Sequence, residues 1–290
     1  MKTALPAALV KAPPPGIYPN VPFSEYLKWP LLSYSAIKYG RSPQGSMKKL
    51  SAAFDGELTS PPTDDMVLGS ALHTAFLEPE LSHEKVALWD GKVRRGDEWE
   101  QFKRKHAGKA ILTQKAHEKM VSMTRSIRAN KWVQANIGLG VKTEVSAVGT
   151  YNGVQVRGRA DILLDDMIVD IKKMRGVDTR TITNTIFSFG YHIQAAIYRK
   201  LFNRDRFVLI CVEGTKPYDC VAVELMDDVL TMGETDTVTI LDQYKHAVKI
   251  GRFAGQCDDL LPINVPDWMA DKDAAAAITI GGEGVFGEDE

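Results

Sequence analysis

The stretch KTEVSAVGTYNGVQVRGRADILLDDMIVDIKKM, residues 142–174, decides the fold. Its apolar residues recur with a period near two, which indicates β-strands. Asn152-Gly153 is a strong hairpin-turn signal, so the spacing predicts paired strands over 142–151 and 153–164. Residues 167–174 form a short and mostly apolar run, which is typical of a central strand.

The segments on either side of this stretch predict helices that cover the strands. Helices are predicted over 66–77, 113–136, 187–202 and 229–250, and further strands over 206–214 and 218–226. The order helix, three strands, helix, two strands, helix predicts an α/β fold with a central mixed β-sheet flanked by helices. Ser35 is predicted to cap a short helix that begins after it.

One globular domain, residues 16–270, is predicted between two irregular ends. Residues 1–15 are a proline-rich arm, and residues 271–290 are an alanine-, glycine- and acid-rich tail for which disorder is expected. Residues 51–65 indicate a polar loop, and residues 91–109 a basic, partly mobile segment. No run approaches the roughly 20 apolar residues of a membrane span. A cytoplasmic protein without a membrane partner is therefore predicted.

The charge balance limits where a nucleic acid could bind. The 290 residues carry 36 basic and 37 acidic side chains, a net charge of −1. Residues 271–290 contain six acidic residues and one lysine, which leaves a net charge of +4 on residues 1–270. This excludes a uniformly basic surface and fits positive charge gathered in a channel. Cys211, Cys220 and Cys257 lack a CxxC spacing, so neither a disulfide framework, a zinc ribbon nor an iron–sulfur cluster is predicted.

Three charged residues of the strand region form a candidate metal site. Asp170 and Lys172 are two residues apart, so they project from the same face of their strand. Asp161 lies towards the end of the neighbouring strand, and Glu144 on the first hairpin strand could add a carboxylate. Such oxygen ligands suit Mg²⁺ or Mn²⁺, with Lys172 orienting or deprotonating a water. The alternative is an Asp–Lys pair on a solvated strand face, although charges in an apolar strand are costly.

Four short motifs accompany these residues in a fixed order. They are Gly69-Ser70-Ala71-Leu72-His73 followed by Leu77-Glu78-Pro79-Glu80, then Gly158-Arg159-Ala160-Asp161, Asp170-Ile171-Lys172, and Gln194 with Tyr198. This order resembles the PD-(D/E)xK nuclease superfamily, with its restriction-endonuclease-like core, and more narrowly its RecB-type branch. Together with Gly16-Ile17-Tyr18, Glu25-Tyr26 and Ser33-Tyr34-Ser35, it makes residues 16–270 similar to RecE-type (exonuclease VIII) nuclease domains of phages and prophages.

The resemblance implies a role for each motif residue. The implied metal ligands are His73, Asp161, Asp170 and the backbone carbonyl of Ile171. Lys172 would be catalytic, and Glu144 would assist through a metal-bound water or a second ion. Gln194 and Tyr198, one helical turn apart, would brace the site and approach the DNA backbone. The chain departs from the family at Lys173-Met174, where a small Thr or Ser usually follows the catalytic lysine.

Other basic residues give weaker signals of DNA contact. Arg157 and Arg159 alternate in phase with Asp161 and could contact the scissile phosphate, and Ser35 is a supporting candidate. The basic residues between Lys92 and Lys109 are either a solvated face or a DNA-gripping segment with an aromatic residue that stacks on a base. Gly69 and Gly158 are predicted to allow close backbone approach.

The function implied by the resemblance is a Mg²⁺-dependent double-strand DNA exonuclease, for which Mn²⁺ would substitute. It would act from DNA ends in the 5′-to-3′ direction and leave 3′ single-stranded tails for recombination. The resemblance also implies a homo-oligomeric ring (tetramer or trimer), a single-strand annealing protein as a possible partner, and a phage- or prophage-encoded protein in a bacterial cytoplasm. The alternatives are a structure-specific endonuclease on the same fold, or a catalytically silent DNA-binding or annealing module.

Overall fold

A computed structural model of the protein describes residues 11–41, 43–138, 140–258, 260 and 262–265. The chain divides into two compact units, residues 1–255 and 256–290. The described residues of the second unit form neither helix nor strand. The predicted tail and the first ten residues of the predicted arm lie outside the described residues, and the predicted domain bounds stay a prediction.

One mixed sheet is the centre of the first unit. The strands are β1 (Gly16–Tyr18), β2 (Leu32–Ser33), β3 (Val86–Trp89), β4 (Ala110–Thr113), β5 (Lys142–Tyr151), β6 (Val154–Leu163), β7 (Met167–Met174), β8 (Arg206–Glu213) and β9 (Cys220–Glu224). Seven of them form this sheet in the order β1-β5-β6-β7-β8-β9, with β2 paired to β6, while β3 and β4 pair separately. The β7–β8 and β2–β6 pairs are parallel, and the other pairs of the large sheet are antiparallel.

Helices cover the sheet on two faces. They are α1 (Phe23–Lys28), α2 (Tyr34–Ile37), α3 (Met47–Phe54), α4 (Asp64–Leu77), α5 (Ser82–Lys85), α6 (Asp97–Lys105), α7 (Gln114–Ala129), α8 (Lys131–Asn136), α9 (Thr179–Phe189), α10 (Tyr191–Phe202) and α11 (Asp227–Ile250). One hydrophobic core joins the sheet to α2, α3, α9, α10 and α11, and a second joins it to α4, α7 and α8. The predicted α/β architecture is confirmed. None of the helices in the described part of the chain could cross a membrane.

The strand predictions are confirmed most closely in the region that decides the fold. Asn152 and Gly153 both adopt positive φ, at 47° and 77°, as the predicted tight hairpin turn requires. The run 167–174 is β7, and β7 lies between β6 and β8 in the middle of the sheet. Local turn chemistry and apolar character were sufficient here because both signals are strong.

Several helix predictions need correction. The predicted helix over 187–202 is the end of α9 and all of α10, separated by Gly190 at a φ of 74°. The predicted helix over 113–136 is α7 and α8, because the Asn130 side chain caps a new helix by accepting the backbone N–H groups of Trp132 and Val133. Ser35 is not a cap: α2 begins at Tyr34, after Ser33, and Ser35 is exposed in its first turn.

Two predicted loops contain helices. The predicted polar loop over 51–65 contains the end of α3 and the beginning of α4. The predicted basic, partly mobile segment over 91–109 contains α6, whose first turn is acidic and whose last turn is basic. Charges placed in this way favour a helix because they complement its dipole.

The sheet contains a fork that positions the site. Strands β6 and β7 pair only at Ile162 with Val169 and at Leu163 with Ile168. Beyond these pairs the two strands separate, and β6 instead pairs with the two residues of β2 through Val156 and Arg157. Continuing the register by one residue would place Asp161 opposite Asp170. The two predicted ligands therefore flank the point at which the strands divide.

Candidate metal centre and active site

The backbone of Ile171 is held across the fork by two predicted ligands. Its N–H donates to Asp161 Oδ2 at 2.8 Å, and its carbonyl accepts from His73 Nε2 at 2.9 Å. The other ring nitrogen of His73, Nδ1, lies 3.4 Å from Asp161 Oδ2. Because β6 has left β7 here, these side chains take the place of a neighbouring strand. His73 projects from α4, so three separate elements meet at Ile171.

Glu144 stands opposite Asp161 on the adjacent strand. Thr143 pairs with Ile162 and Val145 with Ala160, which puts Glu144 between them in register with Asp161. Glu144 has a φ of 52°, a left-handed conformation that is unusual for a residue other than glycine and is often found at functional sites. Donor atoms of His73, Glu144 and Asp161 all lie within 4.8 Å of one another.

A second group of side chains surrounds Asp170. Lys172 Nζ forms an ion pair with Asp170 Oδ2 at 2.5 Å, and Gln194 Nε2 donates to Asp170 Oδ1 at 2.7 Å. Gln194 comes from α10 and is buried with Asp170. Asp170 Oδ1 thus accepts a hydrogen bond from Gln194, whereas Oδ2 contacts the Lys172 ammonium without a hydrogen bond. Gln194 Oε1 is also buried, and it has no hydrogen-bond partner within the described residues.

The ring of Tyr191 lies against the ammonium group of Lys172, and none of the sequence motifs includes this residue. Lys172 Nζ lies 4.6 Å from the centre of the Tyr191 ring, at the first residue of α10. The Tyr34 hydroxyl donates to the Phe189 carbonyl at 2.6 Å, which ties α2 to the break between α9 and α10. Tyr191 could have been identified from the sequence only by recognising that one helix ends at Gly190 and another begins after it.

Burial and opposite charges shift the pKa values of the first group in different directions. Burial lowers the pKa of His73, but the neighbouring Asp161 carboxylate outweighs this and raises the value to about 9. Burial likewise works against the charge on Asp161, and the His73 cation nevertheless holds the pKa of Asp161 below its usual range. Burial, with Asp161 nearby, raises the pKa of Glu144 despite its ion pair with Arg159.

In the second group, the pKa values of Asp170 and Lys172 are both raised, but for different reasons. Burial raises the pKa of Asp170 to about 6, although the Lys172 cation acts in the opposite direction. Burial disfavours the charged form of Lys172, but Asp170 outweighs this and raises the pKa of Lys172 above its usual value. A lysine whose charged form is favoured by its partner thus lies beside a carboxylate whose charged form is disfavoured by burial.

Tyr198 and the two predicted glycines are placed differently from one another. The Tyr198 ring is buried in the core, and a Cβ added at Gly158 would lie 2.9 Å from its Cε1 atom. The predicted close approach at Gly158 is confirmed, since it lets α10 press against β6. At Gly69 a Cβ would meet nothing within 4 Å, so that prediction is wrong. DNA contact by Tyr198 stays a prediction.

Arg159 and Arg157 are engaged within the chain. Arg159 Nε donates to Glu144 Oε2 at 2.5 Å, and its Nη1 donates to the Val21 carbonyl at 2.8 Å. Arg157 donates to the Tyr26 carbonyl and stacks 4.7 Å from the centre of the Tyr26 ring. Arg159 therefore borders the metal cluster, whereas Arg157 supports the segment around α1. Phosphate contacts by either arginine, and any role of Ser35, stay predictions.

The departure at Lys173 has a structural explanation. Lys173 Nζ donates to both carboxylate oxygens of Asp65 at 2.7 Å, in the first turn of α4. The side chain that follows Lys172 is thus directed to α4 rather than to the site. In the basic segment, Trp99 packs against Trp89 at 5.2 Å between ring centres. Trp99 is therefore used in packing, and DNA contact by this segment stays a prediction.

The donor set fits a hard divalent cation. Two carboxylates, a backbone carbonyl and an imidazole converge at the fork, and these are ligands that Mg²⁺ and Mn²⁺ accept. Gln194 Oε1, on the amide that donates to Asp170, is a buried acceptor without a partner among the described residues. Asp170, a predicted ligand, lies outside the group whose atoms are within 4.8 Å, because Lys172 and Gln194 hold it.

Comparison with known proteins gives the family and the fold of the chain. Residues 33–260 match a family described as a PDDEXK-like domain of unknown function, DUF3799. A candidate exonuclease from Eubacterium rectale has a similar fold, with a TM-score of 0.57 and 17% identity over 81% of this chain and 91% of that one. A phage-related exonuclease from Haemophilus somnus matches with a TM-score of 0.35 and 14% identity, over 76% of this chain and 96% of that one. No curated protein matches the sequence.

Proposed function

Because the chain belongs to the PDDEXK-like family DUF3799, we propose that it is a metal-dependent deoxyribonuclease that hydrolyses phosphodiester bonds at the fork. One observation carries the proposal: the donor atoms of His73, Glu144 and Asp161 converge within 4.8 Å, beside the Asp170–Lys172 pair. A carboxylate-rich metal site next to a lysine provides the groups that catalyse phosphodiester hydrolysis. A solvated Asp–Lys pair, the alternative from the sequence, does not agree with the burial of Asp170.

Each residue of the site has a separate task in this proposal. His73, Glu144, Asp161 and the Ile171 carbonyl would hold the metal, with Asp170 as a further ligand if it turns from Lys172. When bound, the metal would lower the pKa of a coordinated water and stabilise charge on phosphate oxygen. The Asp170 carboxylate raises the pKa of Lys172, which favours a cation that would orient water and offset negative charge on the phosphate over a base.

The groups around Lys172 fix its position. Asp170 holds the ammonium on one side, and the Tyr191 ring lies against it on another. Gln194 keeps Asp170 in place through its amide, and α10 is pressed against the sheet at Gly158. A catalytic group gains from such support because small displacements reduce rates strongly.

The finer assignment follows the RecE-type resemblance of residues 16–270. We propose Mg²⁺ as the metal, with Mn²⁺ able to substitute, and the ends of double-stranded DNA as substrate. Digestion of the 5′-ended strand would leave 3′ tails for recombination by strand annealing. The description of the Eubacterium rectale protein as a candidate exonuclease is in keeping with an end-dependent mode.

The proposed setting also follows that resemblance. The protein would act as a homo-oligomeric ring, a tetramer or a trimer, in the cytoplasm of a bacterial host. A single-strand annealing protein encoded by the same phage or prophage would take up the tails. A ring would gather the net charge of +4 on residues 1–270 around an enclosed duplex.

The test is nucleotide release from linear duplex labelled at the 5′ or the 3′ end, with and without Mg²⁺. We expect Mg²⁺-dependent release by the wild type and its loss in Asp170→Ala and Lys172→Ala, with DNA binding largely kept. Lys173→Ala is the matched control, since it removes a neighbouring paired lysine of the same strand. Wild-type rates in Lys172→Ala would refute the site assignment.

A covalently closed circular duplex separates the alternatives. An end-dependent exonuclease leaves it intact, whereas a structure-specific endonuclease would cut it when it carries a suitable structure. Binding of duplex without any Mg²⁺- or Mn²⁺-dependent cleavage would instead indicate a catalytically silent DNA-binding or annealing module.

A further inference from the structure

Lys38 is a basic residue beside the site that the sequence motifs do not include. It opens the short 3₁₀ segment Lys38–Gly40 directly after α2. Its Cβ lies 3.7 Å from where a Cβ on Gly190 would stand, at the break that precedes Tyr191. Lys38 therefore lies on the rim formed by α2 and the start of α10. This is the rim that encloses Lys172.

The backbone that carries Lys38 is firmly held. A Cβ added at Gly40 would lie 2.7 Å from the Ile240 side chain and 2.9 Å from that of Leu50, so this segment is packed between α11 and α3. The Ile37 side chain, immediately before Lys38, is fully buried. A side chain on such a scaffold is presented in a defined place and needs little ordering to bind a ligand.

The neighbouring basic groups contrast with Lys38 in their partners. Lys172 is paired with Asp170, Lys173 with Asp65 and Arg41 with Asp236. Within the described parts of the chain, no carboxylate forms an ion pair with Lys38. Its Nζ atom instead lies over the rings of Tyr34 and Tyr39, at 5.6 and 5.5 Å from their centres.

The surroundings of Lys38 are unfavourable for its charge. The side chain is half-buried, and burial together with the nearby Lys172 cation lowers the pKa of Lys38. A partly desolvated cation beside a second cation costs free energy unless an anion lies between or near them. Such an arrangement is typical of a site that is completed by an anionic ligand.

We propose that Lys38 binds a phosphate of the DNA strand, the one adjacent to the phosphate that is cleaved. The proposal rests on the proposed function, because it takes Lys172 to face the scissile phosphate. Two cations on one rim, Lys172 for the scissile phosphate and Lys38 for its neighbour, then fix the register of the strand in the site. The tyrosine rings beneath Lys38 keep its ammonium at the surface without neutralising it.

The test compares Lys38→Gln, Lys38→Arg and wild type on labelled duplex. DNA affinity is measured by fluorescence anisotropy with Ca²⁺, and cleavage with Mg²⁺. We expect Lys38→Gln to weaken binding about tenfold and to reduce the salt dependence by about one phosphate contact, with Lys38→Arg restoring most of the affinity. Lys249→Gln, which removes an exposed lysine at the end of α11, is the matched control and should bind as wild type does.

A second measurement distinguishes a phosphate contact from a general electrostatic effect. Duplexes that carry one neutral methylphosphonate are compared, with the substitution moved along the strand. When the methylphosphonate stands next to the cleaved bond, we expect wild type to bind this duplex more weakly than unmodified DNA. On the same modified duplex, Lys38→Gln should bind as well as wild type does. An equal defect of Lys38→Gln at every position, or no defect on unmodified DNA, overturns the proposal for Lys38. If wild type binds DNA but cleaves none, the proposed function fails, and binding still decides the role of Lys38.

Discussion

The two halves of the site differ in how their charged side chains are paired within the chain. In the half made by His73, Glu144 and Asp161, the donor atoms converge on one another and on the Ile171 backbone. In the half made by Asp170, Lys172 and Gln194, the carboxylate accepts one hydrogen bond from Gln194 and forms an ion pair with Lys172. This difference agrees with the proposal that the first half binds the metal and the second half holds a cation against the substrate.

The elements behind the two halves differ as well. The first half draws on α4, where the space around Gly69 is open, whereas the second draws on α10, which is pressed against β6 at Gly158. Tight packing of α10, which carries Gln194, suits a group that must not move. Space beside His73 suits a group that must let a ligand enter.

The largest effect is expected at Asp161. Asp161→Asn removes a charge that faces His73, Glu144 and the Ile171 N–H group, so metal binding and cleavage should fall together, cleavage by about 10³-fold. Isothermal titration with Mn²⁺ and the release assay measure both. Full Mn²⁺ affinity in a folded Asp161→Asn protein would show that the metal binds elsewhere.

A smaller effect on cleavage is expected at Gln194, and it distinguishes the roles of the two halves of the site. Gln194→Met keeps the volume but removes the amide that holds Asp170, so kcat should fall about 10- to 100-fold while Mn²⁺ affinity stays near wild type. The comparison of the two halves would be wrong if Mn²⁺ affinity fell as far as kcat.

The difference in packing between Gly158 and Gly69 can be measured as a difference in the free energy of unfolding of variants at the two positions. Gly158→Ala would force its new methyl against Tyr198 and Leu201, so we expect a loss of about 1–3 kcal/mol in the free energy of unfolding. Gly69→Ala adds a methyl group in open space within a helix and should cost nothing, or add up to about 1 kcal/mol. Equal losses in urea unfolding of the two variants would remove the distinction.

The smallest effect is expected at Lys173. Its partner Asp65 is 75% exposed, so Lys173→Ala should change the free energy of unfolding by about 0–1 kcal/mol and leave cleavage unchanged. Thermal unfolding and the release assay check this. A cleavage defect comparable to that of Lys172→Ala would mean that both lysines of β7 serve the site.

The sequence was most informative where local signals are strong. The bounds of β7, the hairpin turn at Asn152-Gly153 and the motif residues of the fork all follow from short patterns. These residues meet in space because the strands that carry them are neighbours in the sheet. Neighbouring strands in a sheet are often consecutive along the chain, so this much could be predicted.

Other features depend on contacts between distant parts of the chain. Pairing of β2 with β6 opens the fork, and nothing in the two residues of β2 indicates that partner. The helix break at Gly190 places Tyr191 over Lys172, but the periodicity continues through it and predicted a single helix. Lys38 belongs to no motif, because the role proposed for it depends on its having no ion pair with a carboxylate among the described residues.

Lys172 is proposed to act on the substrate while the other half of the site binds the metal. One preparation of Lys172→Ala, compared with wild type and Lys173→Ala, tests this through Mn²⁺ affinity and nucleotide release from linear duplex. We expect wild-type Mn²⁺ affinity in both variants and loss of release, by about 10²-fold or more, in Lys172→Ala alone. Release at the wild-type rate by Lys172→Ala would contradict it.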